Sequence, residues 1–343
     1  MTYTSRLCIL LGLRGTTLSG NNNRKEKRMK FNISLEELNS LTFGVEIETT
    51  IPRSSGINVG TYSTGHPLPE AAPKFNGVTW KAHEDGSIRV NASGHTGCEF
   101  VSPVLKGEEG LKHIVDFMKW LRSTGAKVNR TTGTHVHVGV KSVIGNADME
   151  TVLNWIVKVG ELGKKYSTGL YASTGTTRNL MSTTSYCVPL GDVAKDAFKF
   201  AKRTNCKASG LSKIKHDVRK YSMINFTNVG SGKHTVEFRA FAGTTNTAKM
   251  LNHITCSMAI ALLAKHNMNK STVWKDYSYT GVAGFGFIWK YATKLIKLTS
   301  LKGKWNHKCR MWGMAMAAKW DRKMGNGLID AGVRATRWVR ERG

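Results

Sequence analysis

The alternation of apolar and polar positions changes period several times along the chain, and each change marks an element. SLEELNS, residues 34–40, predicts a short helix with Ser34 as N-cap and Glu37 three residues on. FGVEIETT (43–50) follows, and a strand over 42–49 puts Val45 and Ile47 on one face and Glu46 and Glu48 on the other. Residues 52–77, broken by Pro52, Pro67, Pro69 and Pro73, form a long loop. VTWKAHEDGSIRV (78–90) reads as a hairpin turning at Asp85-Gly86, and CEFVSP (98–103) as a strand stopped by Pro103. Leu111, Ile114, Val115, Met118 and Leu121 recur at helical spacing, which makes 108–124 a helix closed by Gly125.

THVHVGV (134–140) is a second alternating strand, and 147–166 a second amphipathic helix. Short helices are expected near 192–204 and 211–217. SMINFTN (222–228) and HTVEFRAF (234–241) read as a hairpin around Gly230 and Gly232, before a helix at 247–267 and a mostly helical tail. Hairpins interleaved with helices predict an α+β fold: a curved, largely antiparallel sheet backed by helices.

Composition narrows the function classes. No apolar run is long enough to span a membrane; the longest, near Ile254–Ala264, is interrupted by Ser257. The chain carries 51 Lys+Arg against 23 Asp+Glu, a net +28, which favours polyanions or else a highly solvated surface. Six scattered cysteines with no CxxC pair speak against a cysteine zinc site and fit a reducing compartment, so a cytoplasmic location is expected. Residues 1–28 differ in character from the rest. Lys25-Glu26 is encodable as AAG-GAG, resembling a ribosome-binding sequence ahead of Met29, so translation is expected to begin at Met29. Mass spectrometry of the native N-terminus tests this; a peptide spanning Thr2–Arg14 would refute it.

The candidate chemistry sits on the polar faces of the strands. Glu46 and Glu48 share a face; Glu99 stands beside Phe100 and Val101; His135 and His137 alternate with valines; Glu237 and Arg239 alternate with Val236 and Phe238. Singly, each pattern reads more simply as a solvated face or a cross-strand ion pair. Gathered in one cavity, four carboxylates require cations, and hard divalent ions such as Mg²⁺ or Mn²⁺ match oxygen ligands with an occasional imidazole. Arg239 suits a phosphate. NVGSGKHT looks like a phosphate loop but lacks the first glycine at the required spacing. It also has His234 in place of Ser or Thr, and lies inside a hairpin. Neither HExxH nor GxSxG occurs.

In order, FGVEIET, EDGSI, GCEFVSPVLKG, TTGTHVHVGV, RKYSMINF and HTVEFRAFAGT resemble the amidoligase family, whose catalytic domain is similar to glutamine synthetase and glutamate–cysteine ligase. The blocks run from Phe43 to about Asn246; TRNLMSTTSYCVPL (177–190) is a looser match. The resemblance implies a glutamine synthetase-like catalytic domain over 29–267; the basic, mostly helical region over 268–343 departs from it. It implies an ATP-dependent carboxylate–amine ligase working through an acyl phosphate, with ATP and Mg²⁺ (or Mn²⁺) as cofactors. Glu46, Glu48, Glu99, Glu237 and His135 would bind metal. His137, Arg178 and Arg239 would contact nucleotide or phosphate, and Arg239, His135 and Arg219 would serve catalysis. Asp85 reads as a turn residue, and no base for the amine stands out. The expected partners are a carboxylate and an amine, each on a small molecule, peptide or protein.

From Lys265 onward there are 17 basic and four acidic residues. This tail either docks an anionic partner or forms a helical layer burying Trp305, Trp312 and Trp320. Two rival functions remain at this level. A nucleic-acid-binding protein would show salt-dependent binding, and a metal-dependent hydrolase or nuclease would cleave without ATP.

Overall fold

A computed structural model describes residue 29 and residues 31–175, 187–272, 274 and 280–342. Residues 1–28 and Arg178 lie outside them. Ser34 accepts a hydrogen bond from the Glu37 amide (3.0 Å) and so starts α1 (Leu35–Ser40). The strands follow as β1 (Thr42–Pro52), β2 (His66–Pro67), β3 (Lys81–His83), β4 (His95–Val101) and β5 (Leu105–Lys106). After α2 (Gly107–Ser123) come β6 (Gly133–Gly139), α3 (Val140–Ile144), α4 (Met149–Lys165) and α5 (Ser167–Ala172). Then come α6 (Asp192–Arg203), α7 (Lys207–Asp217), β7 (Ile224–Asn225) and β8 (Thr235–Ala242). The chain closes with α8 (Thr247–His266), α9 (Gly281–Leu298) and α10 (Lys302–Arg342).

The strands form one sheet in the order β2-β3-β4-β1-β6-β8-β7, with β5 paired to β1. Every pairing between these strands is antiparallel, and helices back the sheet, as the alternating segments predict. One expectation is corrected. Residues 78–90 do not fold back on themselves; β3 pairs instead with β4, Ala82 opposite Phe100. Both of those side chains are fully buried, whereas Val90 is exposed, so the apolar gain lies in the longer-range pairing.

The apolar sheet face carries Val45, Ile47, Phe100, Val136, Val138 and Phe238, all buried. Against it lies α8, whose residues from Met250 to Ala264 are buried without a break. A helix buried all round needs neighbours on every side. α8 contacts β6, α2 and α4, and also α9 and α10. Cys309 and Trp320 of α10 are buried, while Trp312 stays exposed. Strand β8 carries one extra residue at Arg239–Ala240, opposite His135. This bulge lets Phe238 and Phe241, three apart, both reach the core side, while Glu237 and Arg239 keep to the other. No described helix is long and apolar enough to cross a membrane, and the described cysteines are free thiols.

Candidate active site

Register brings the polar strand positions together. Glu48 stands opposite Glu99, Glu46 opposite His135, His137 opposite Glu237, and Glu237 opposite Asn225. Five neighbouring strands therefore present one continuous band of acids and imidazoles on the face away from α8.

Glu46 is the hub. Its Oε2 lies 3.0 Å from His135 Nδ1 and its Oε1 3.1 Å from His137 Nε2. His135 also approaches Glu48 Oε1 and Glu237 Oε1, each at 3.5 Å. Glu48 accepts from the Gly133 amide. Glu237 accepts from Asn225 Nδ2 (2.8 Å) and pairs with Arg239. The Thr227 amide and hydroxyl both reach Asn225 Oδ1, which turns its NH₂ toward Glu237.

These groups perturb one another. Burial pushes the Glu46 carboxyl up, but the charges of His137 and His135 outweigh it and hold Glu46 well below its ordinary value. Burial disfavours protonation of His137, and Glu46 reverses this, so His137 titrates high. Glu237 is likewise held low against its burial by His137, His135 and Arg239. Glu99 goes the other way. Burial, then the charges of Glu46, Glu48 and Asp85, push its carboxyl up to about 9.

The donor set fits hard divalent cations. Three groups hold ligand atoms within 4.8 Å of one another: Glu46–His137–Glu237, Glu46–Glu99–His135 and Glu48–Asp85–Glu99. His137 Nε2 lies 3.1 Å from Glu46 Oε1, and both residues belong to the first of these groups. Oxygen-rich groups with one imidazole suit Mg²⁺ or Mn²⁺ better than softer metals.

Two cavities meet at this band. A polar one of about 420 Å³ is lined by Glu48, Asp85, Lys220, Tyr221, Asn225 and Arg239, among others. A more apolar one of about 430 Å³ is lined by Gly44, Val45, Val101, Pro103, Val104 and Lys141, among others. Glu46, His137 and Lys233 belong to both.

The structure thus gathers Glu46, Glu48, Glu99, His135, His137, Glu237 and Arg239. Arg219 is exposed and outside the cavity lining, where its neighbours Lys220 and Tyr221 take part. Sequence reasoning missed three contributors. Asp85 caps its turn by accepting from the Ser87 amide (2.7 Å) and also joins the Glu48–Glu99 group. Asn225 was legible by parity, since it alternates with buried Ile224 and Phe226. Lys233 carried no signal beyond a failed motif.

Comparison with known proteins follows this geometry. Residues 39–162 match a family model described as "putative amidoligase enzyme". Among solved structures, the chain is similar to a bifunctional glutathione synthetase from Pasteurella multocida, at 10% identity and a TM-score of 0.44, over 87% of this chain and 50% of that one. It is also similar to a novel glutamine synthase homolog at 11% identity and a TM-score of 0.34, over 82% of this chain and 66% of that one. The chain therefore spans about half the length of the first. Comparison with curated proteins gives no match. The matched stretch contains Glu46, Glu48, Asp85, Glu99, His135 and His137, so over residues 39–162 the resemblance read from the ordered motifs holds, and it is a resemblance to the amidoligases.

Proposed function

We propose that this chain is an ATP-dependent ligase that joins a carboxylate to an amine through an acyl phosphate. The observation that carries the reading is the meeting of two cavities at one carboxylate–imidazole band, with Glu46 and His137 in both walls. A ligase of this kind must bring a nucleotide and an acid together, and then admit an amine.

The apolar cavity suits adenosine, and the polar one suits the acid and the amine. Glu46, Glu48, Glu99, Glu237 and His135 would hold Mg²⁺ or Mn²⁺, with His137 beside them; the ions would neutralise phosphate charge. Arg239, paired with Glu237 and lining the polar cavity, would meet the developing charge on the transferred phosphoryl group. The γ-phosphorus leaves the bridging oxygen of ADP and bonds to a carboxylate oxygen. The amine then attacks the acyl carbon and phosphate departs. Phosphoryl transfer needs alignment and charge neutralisation more than covalent participation, which matches a site rich in charge. Asp85, on a loop lining the polar cavity, would take the proton the ammonium must lose.

Calorimetry of Mg·ATP binding tests this without knowing the substrates. Wild type is expected to bind with metal dependence, and Glu46→Gln and Glu48→Gln to lose it. Hydroxylamine would then trap the acyl phosphate once an acid is found. A folded wild type that ignores millimolar Mg·ATP refutes the reading and brings forward metal-dependent hydrolysis.

A further inference from the structure

The segment NVGSGKHT fails as a phosphate loop by its spacing, yet its lysine reaches the seam between the cavities. Lys233 lines both of them, together with Glu46 and His137. Among the described residues, nothing pairs with its ammonium group. Arg239, by contrast, is engaged with Glu237.

The loop is held in a defined shape. His234 has φ +43, a left-handed conformation uncommon for a residue with a side chain. Its Nδ1 accepts from the Gly230 amide at 2.9 Å, and its own amide donates to Ser231 O at 3.1 Å. Gly230 is left-handed too, at φ +74. The His234 carbonyl accepts from the Val140 amide at 3.0 Å, which fastens the loop to the end of β6. Thr235 then begins β8, and its Oγ1 lies 3.3 Å from His137 Nδ1. Lys233 is thus carried on a tied loop at the mouth of the strand that bears Glu237 and Arg239.

We propose that Lys233 binds the γ-phosphoryl group of ATP at the seam and stays with it as it passes to the substrate carboxylate, with His234 as the positioning residue. This rests on the ligase reading. The bond from the γ-phosphorus to the β–γ bridging oxygen breaks, a bond to the carboxylate oxygen forms, and ADP carries the electron pair away; no proton or redox partner is required. A lysine suits the task because its ammonium is a point charge with three rotatable donors that can follow a moving group. The motif had the right chemistry on the wrong scaffold: a hairpin, rather than a helix N-terminus, presents the lysine.

The test is calorimetric titration with Mg·ATP and Mg·ADP. Wild type is expected to prefer ATP. Lys233→Met should weaken ATP by about 10- to 100-fold, the worth of a charge-assisted contact, and leave ADP nearly unchanged. Lys233→Arg should restore most of the preference. His234→Gly accepts the same backbone conformation but drops the tie to Gly230, and should lower the ATP preference by less than Lys233→Met does. Thermal melts show that the variants fold. If wild type binds ATP and Lys233→Met keeps the wild-type ratio, the assignment fails while the ligase reading stands. An unchanged ratio in His234→Gly removes the positioning role. Absence of ATP binding in wild type overturns both.

Discussion

Glu99→Gln should stabilise the metal-free protein, although it alters a buried residue of the candidate site. Glu99 is 9% exposed and stands directly opposite Glu48. Burial and then the surrounding carboxylates push it from 4.5 up to about 9. The folded state therefore binds the extra proton between those values. Stability is fully present below pH 4.5 and declines as pH rises through the window. At pH 7 about 2.5 pH units of the window have been crossed. At 1.36 kcal/mol per unit this is roughly 3 kcal/mol, the cost of keeping the carboxyl neutral. Glutamine has nearly the same shape and no charge at any pH, so the cost disappears. The assay is urea unfolding of both proteins from pH 5 to 8 with EDTA, then with Mg²⁺. The advantage of the variant should be small at pH 5 and grow toward pH 8. Added Mg²⁺ should raise wild type more than the variant, because the ion replaces the proton on Glu99. A variant that is less stable than wild type at pH 8 in EDTA, or a gap that does not change with pH, refutes the reasoning.

Gly44 shares the site face of β1 with Glu46 and lines the apolar cavity, where an added Cβ would meet only Ser102 Oγ at 3.5 Å and His137 Cβ at 3.9 Å. Gly44→Leu should abolish Mg·ATP binding in calorimetry while leaving the melting temperature within a few degrees. His253, fully buried and stacked on Phe241 at 4.3 Å, is held neutral, well below its ordinary value, by burial and then by Lys249. The unfolded state binds that proton first, so stability should fall as pH drops below about 6.5, at up to about 1.4 kcal/mol per unit. His253→Phe should flatten that slope in acid unfolding curves. Gly160 of α4 faces α6 so closely that an added Cβ would lie 2.2 Å from the Phe198 ring. Gly160→Ala should lower stability by about 1–3 kcal/mol in denaturant melts, despite the better helix propensity of alanine.

What the sequence revealed depended on how local the cause was. β1 and β6 were legible because one face is buried, and a period of two then separates core from site without ambiguity. The band of acids and imidazoles followed from the same parity, and the order of motifs joined the strands. The 78–90 segment misled because its turn residues are real: Asp85 does start a turn, but β3 finds its partner beyond residue 94. Only long-range burial decides that choice. Lys233 was hidden for a different reason. Its place at the seam depends on three separate strands, and no spacing within NVGSGKHT encodes it.

The same parity explains why this band of like charge is tolerated in a folded protein. Each strand that carries a site acid also sends an apolar neighbour to the opposite face: Val45 and Ile47 flank Glu46, Phe100 follows Glu99, and Val236 and Phe238 flank Glu237. On that face Phe100 packs against Phe117 and Trp120 of α2, and β6 meets α8, which is buried all round and contacted by α2, α4, α9 and α10. Burying each large side chain contributes about 1.5–3 kcal/mol, comparable to the cost at Glu99. The helical layer beneath the sheet therefore holds the carboxylates together before any ion arrives. On this argument the C-terminal helices serve the site from a distance. Loosening their packing, for example with Phe285→Ala, should leave the candidate ligands intact in sequence yet weaken metal and nucleotide binding together, to the extent that the site-competent fraction falls. A Phe285→Ala protein that is clearly destabilised but binds Mg·ATP as tightly as wild type would show that the two faces of the sheet are independent.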